Sequence, residues 1–129
     1  MPRYLTQDWF DAAQRAFTAD TSLANASTEI VLTVQQVVTG GPDGDITYHV
    51  VVDRDTVRIA PGESSEPTVT FIQSWDTASA IGRGELSAQG AFMTGLIRVR
   101  GDLPRLVEHG NVFGGVDDVL ADLRRQTTY

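Results

Sequence analysis

Between Glu29 and Gln73 the hydrophobic period of this chain is two, and short turn clusters break the tract into four pieces. Ile30, Leu32 and Val34 alternate with Val31, Thr33 and Gln35, and after Gly40-Gly41-Pro42-Asp43-Gly44 the set Ile46, Tyr48, Val50 and Val52 shares one face. Asp53-Arg54-Asp55 makes a tight return into Thr56–Ala60, and Pro61 to Ser65 leads into Thr68–Gln73. Four strands joined so closely predict an antiparallel sheet, because a parallel return needs a dozen or more residues.

On either side of this tract the period changes to that of a helix. Thr6 is placed to cap a first helix, with Asp8 in its positive end and Trp9, Phe10, Ala13 and Phe17 on one face. Downstream, Ser74 caps a helix with Trp75, Ala78 and Ile81, and Gly82 and Gly84 supply the positive φ that ends it. Ser87 caps a short helix carrying Ala91, Phe92 and Met93, which Gly95 closes. Leu96 to Arg100 alternates as a fifth strand, and Asp102 caps a turn of helix with Pro104 in its first positions. A final helix has Val116, Val119, Leu120 and Leu123 on one face, acids at its start and Arg124 and Arg125 at its end. The order predicts one α+β domain over residues 1–129, with helices over one face of the sheet.

Chemistry-bearing residues are sparse. Cysteine and lysine are both absent, which excludes disulfides, thiol nucleophiles, Schiff bases and a P-loop lysine. Seventeen acids against ten arginines give a net charge of −7, a surface that repels nucleic-acid backbones. No window approaches the roughly 18 apolar residues of a membrane span, so stable membrane insertion is not expected. His49 and His109 share no metal spacing; His49 is expected on the solvent side of its strand and His109 at a helix end. There is no GxSxG elbow, and the Asp43/Asp45, Asp53/Asp55 and Asp117/Asp118 pairs read as turn and helix-start residues. No catalytic group, metal or cofactor is expected.

The segment Gly82 to Asp102, GRGELSAQGAFMTGLIRVRGD, resembles the signature of the sterol carrier protein 2 (SCP2) lipid-binding family. Ala91-Phe92-Met93-Thr94-Gly95 matches the family's helix and Ile97 to Asp102 its strand and turn, while Ala88 and Leu96 stand where the family usually has proline and lysine. The resemblance implies a mainly antiparallel five-stranded sheet, with helices over one face and an apolar cavity between. It implies a non-enzymatic carrier for an apolar small molecule such as a sterol, fatty acid or acyl-CoA. Phe71, Trp75, Ile81, Gln89, Phe92, Met93, Leu106, Phe113 and Leu120 are the expected ligand-contacting residues. Gln-Thr-Thr-Tyr at the end of the chain is no peroxisomal tripeptide, which points to a bacterial, cytoplasmic relative. Two other readings stay open. One is an accessory or dimerising module for a partner enzyme of lipid or polyketide metabolism; the other is a small α+β isomerase or dehydratase using a buried carboxylate with Tyr48 or His49.

Overall fold

The computed structural model describes residues 2–20, 30–42, 44–54, 56–109, 119–120 and 122–129. Helix α1 (Gln7–Ala19) begins where Thr6 Oγ1 accepts the Trp9 N–H, and it buries Trp9, Phe10, Ala13 and Phe17 as its spacing predicts. Strands β1 (Val31–Gly41), β2 (Gly44–Asp53), β3 (Thr56–Pro61) and β4 (Val69–Ser74) follow in turn. Helix α2 (Trp75–Gly82), helix α3 (Ala88–Met93), strand β5 (Arg98–Gly101) and helix α4 (Leu103–Glu108) complete the middle of the chain. Residues 119, 120 and 122–125 are helical and bury Val119, Leu120 and Leu123. Asn111 and Val116 to Asp118, like most of the polar stretch 18–28, lie outside the described residues, as do Asp43 and Asp55.

The sheet order is β3-β2-β1-β4-β5, and it corrects the antiparallel expectation at its centre. Three of the pairings are antiparallel, but β1 and β4 run parallel, with Val34 beside Val69 and Val38 beside Gln73. The turn-length rule fails here for a geometric reason. Strand β3 is short and ends at Pro61 beside Tyr48, which faces Gln36, while β4 starts at Val69 beside Val34. The connection therefore moves sideways past β2 and β1, about 14 Å, rather than back along a strand. Seven residues, at up to about 3.3 Å each, cover that distance. The crossover is held to the sheet by Gln35 Oε1 on Ser64 N (2.8 Å), by the Thr68 N–H on Thr33 O (2.8 Å) and by His49 Nδ1 against Gly62 O (2.8 Å).

The register defines two unlike faces. Leu32, Val34, Val38, Ile46, Tyr48, Val50, Val52, Val57, Ile59, Val69 and Phe71 point one way, toward the helices. His49, Asp53, Arg58, Arg98 and Arg100 point the other way. Helix α1 covers β3, and its Gln14 amide bonds both Val57 O (3.1 Å) and Ile59 N (3.0 Å). A side chain thus occupies part of the free edge that would otherwise template pairing with another chain.

Six rings fill one end of the inward face. Tyr4 lies 5.2 Å from Trp9, 5.2 Å from Trp75 and 4.9 Å from Tyr129, and Phe10 is 5.5 Å from Tyr48. Trp9 Nε1 donates to Thr127 Oγ1 (3.1 Å), and Tyr4 N to Thr128 O (2.8 Å), tying the first residues of the described chain to the last. Gly84 has the positive φ (+77°) expected at the end of α2, but Gly82 does not. Its lack of a side chain serves instead to admit the Tyr129 ring, whose hydroxyl lies 1.9 Å from where a Cβ would stand.

Burial pushes the Tyr48 phenol up to about 12, and burial followed by the neighbouring Tyr48 and Tyr129 raises Tyr4 as well. The stabilisation by these neutral phenols is fully present below the unfolded value near 10 and is lost as pH rises from 10 toward 12. Thermal melts should therefore hold level from pH 7 to 9 and fall steeply by pH 11, with Tyr48→Phe flattening the alkaline limb. A second outcome concerns Gly101, which has φ +106° and Thr68 O 2.4 Å from the position of a Cβ. Gly101→Ala should cost about 2–4 kcal/mol in urea unfolding, since backbone cannot yield as a flexible side chain can.

Candidate functional site

Two clusters share the inward face of the sheet. The ring cluster fills the end under α1, and Leu120 belongs to it together with Trp75, which packs on Tyr4. The β4–β5 side is different. There Val34, Val69, Ala91 and Ile97 are buried but stand outside the ring-centred cluster. Phe71 pairs with Val99 across the strands, and both are only half-buried, as is Ile81 on α2.

Local chemistry explains how the chain builds this side. Ser74 Oγ accepts the Thr77 N–H (3.1 Å) and Ser87 Oγ the Gly90 N–H (3.0 Å), so both caps form where the sequence places them. Gly95, at φ +81°, closes α3, and the Leu96 and Ile97 N–H groups both bond Ala91 O, at 2.9 and 3.3 Å. That tight turn delays the strand to Arg98, two residues later than the alternation suggests. Asp102 Oδ1 then caps α4 through Arg105 N (3.2 Å), with Pro104 in the first turn.

The expected contact residues separate into groups. Phe71 and Ile81 are half-buried on the β4–β5 side, whereas Trp75 and Leu120 are part of the packed core. Phe92 is 51% exposed and Met93 76%, although Ala91 beside them is fully buried. Helix α3 has six residues, and at 100° per residue the turn that points Ala91 inward leaves the next two facing out. Phe113 lies outside the described residues, as do the side chains of Gln89 and Leu106.

Two residues that sequence reasoning passed over also lie on the inward face. Gln36 falls between Val34 and Val38, and Gln73 follows Phe71 in β4; Gln73 Nε2 donates to Gln36 Oε1 at 2.9 Å. The signal was present as a polar residue at an inward position of an otherwise apolar alternation. The inward residues of the five strands include nothing charged at neutral pH, so this surface can hold apolar matter with a few hydrogen bonds and no ion pair.

A shallow groove of about 270 Å³ lies on the opposite face, lined by His49, Val51, Asp53, Thr56, Arg58 and Ala60. His49 faces away from the core as its alternation predicts, though the Gly62 carbonyl engages its ring. His109 ends α4, its N–H bonding Arg105 O at 3.1 Å. Tyr48 points inward and His49 outward, and the inward residues of the described strands include no carboxylate, so the strands supply Tyr48 with no buried acid. Among the described residues no group of three or more His, Cys, Asp or Glu is placed to hold a metal ion, and no helix is long and apolar enough to cross a membrane.

Comparison with solved structures places this architecture. A crystal structure of sterol carrier protein 2 matches with a TM-score of 0.74 at 16% identity, over 92% of this chain and 98% of that one. The palmitated SCP2L2 of Aedes aegypti matches at 0.62 and 16% identity, over 83% and 93%. A stereoselective inverting sec-alkylsulfatase from Pseudomonas sp. contains the same fold: 84% of this chain aligns with 16% of that one, at 0.56 and 21% identity. Comparison with curated protein sequences gave no match. The sequence profile of the SCP-2 sterol transfer family matches residues 10–113, and the chain belongs to that family.

Proposed function

We propose that this protein is a non-enzymatic carrier that holds an apolar lipid between the β4–β5 side of its sheet and helices α2 to α4. The observation that carries the reading is the uneven burial of the inward face: a packed ring cluster at one end, and half-buried Phe71, Val99 and Ile81 at the other. Family membership and the palmitated relative support it. Burying a twelve-carbon chain contributes about 10 kcal/mol, at about 0.8 kcal/mol per methylene. After a cost of about 4 kcal/mol for ordering the ligand, about 6 kcal/mol remains, and at about 0.8 kcal/mol for each further methylene a sixteen-carbon chain reaches micromolar affinity without any charged contact. Phe71 and Ile81 are the proposed wall residues, joined by Gln89, Leu106 and Phe113 on the strength of the family resemblance.

The sec-alkylsulfatase favours a second reading, in which the domain serves as a module that shapes or presents apolar substrate for a partner enzyme. Co-purification of such an enzyme, with turnover that depends on this protein, would distinguish that role from free carriage. For the carrier itself, native mass spectrometry of freshly purified protein should show adducts that solvent extraction recovers as lipid. Phe71→Arg, which places a charge on the apolar wall, should weaken lipid uptake by about tenfold or more. Absence of adducts together with absence of uptake at micromolar lipid would overturn the proposal.

A further inference from the structure

We infer that the Gln36–Gln73 amide pair is a polar subsite that selects cargo carrying a hydroxyl head. The inference rests on the carrier reading and assigns a selectivity within it. Both glutamines are half-buried on the inward face, Gln36 beside Phe71 and across from Tyr48, and Gln73 beside Val38. Their mutual bond uses Gln73 Nε2 and Gln36 Oε1. Among the described residues this leaves Gln36 Nε2 as an open donor and Gln73 Oε1 as an open acceptor. Turning both amides over exchanges the two roles and still presents one donor and one acceptor.

A hydroxyl both accepts and donates, so it completes both groups at once. A carboxylate only accepts; it would satisfy the amide N–H and set its lone pairs against the open carbonyl oxygen. An ester has the same shortfall without the charge. The arginines of the flanking helical segments have other engagements. Arg83 bonds Glu85 and lies over the Tyr129 ring, Arg105 bonds the Val31 carbonyl, and Arg124 acts on the phenols of Tyr4, Tyr48 and Tyr129.

The test uses the neutral fluorophore diphenylhexatriene as reporter and three competitors of equal chain length: dodecanol, dodecanoate and methyl dodecanoate at pH 8. Dodecanol should displace the fluorophore at about tenfold lower concentration than either of the others. In the Gln36→Met/Gln73→Met variant, which keeps side-chain length, the three should converge while the fluorophore still binds. Fluorophore binding with no preference for the alcohol overturns the subsite and leaves the carrier reading standing. Preference for dodecanoate also overturns it and assigns the head to Arg124. A preference that survives in the double variant places selectivity elsewhere and overturns it too. If that variant melts early, the side-chain amide ¹H–¹⁵N signals of Gln36 and Gln73 in the native protein supply the second arm: dodecanol should shift both, and signals that do not move overturn the subsite. No enhancement of the fluorophore by the native protein counts against the carrier reading itself.

Discussion

Segregation of charge across the sheet is the constraint on which the rest of the structure depends. His49, Asp53, Arg58, Arg98 and Arg100 all leave the strands on one face, and Asp45 at the hairpin end bonds Gly40 N (2.9 Å). The opposite face carries no charge at neutral pH, so it can be buried without the several kcal/mol that desolvating each ion would cost. Helices α1 and α2 pack on that face through Trp9, Phe10, Phe17, Trp75 and Ala78.

The two ends of the inward face are held differently. At one end, rings from α1, β2, α2 and the last residues contact edge to face or tilted, and the Trp9 indole and Tyr4 backbone bond the segment 127–128. These contacts fix α1 and the C-terminal helical residues rigidly over β1 to β3. At the other end, short caps and tight turns do most of the work: Ser74, Ser87 and Asp102 start helices, and Gly95 and Gly101 reverse the chain. Helices of six to eight residues have little stability of their own, and their seating comes from few buried contacts such as Ala91.

Much of this is legible in the sequence, because the signals are local. The period-two alternation identifies the inward residues of β1, β2 and β4, and the caps at Thr6, Ser74, Ser87 and Asp102 all form. What escaped depends on placement in three dimensions. The parallel β1–β4 pairing follows from the offset of β3 and β4 along the sheet, which no turn motif encodes. The bonds of Gln14 to Val57 O and Ile59 N likewise depend on β3 lying beside α1, which no local motif encodes. Phe92 and Met93 are expected wall residues through the family resemblance; the phase of a six-residue helix is set by its neighbours, and here Ala91 takes the buried position while they are exposed. The Gly82–Asp102 signature maps onto α3 and β5, whereas the Gln36–Gln73 pair joins residues 37 apart in sequence that no local motif connects.

The central claim is that cargo lies between the sheet and the helices on the β4–β5 side. Isotope-filtered NMR of the protein bound to a uniformly ¹³C-labelled twelve-carbon lipid tests it most directly. The account predicts intermolecular contacts from the alkyl chain to Phe71, Ile81 and Val99. Contacts confined to Val51 and Ala60 in the groove of the opposite face, or to exposed Met93 alone, would contradict it.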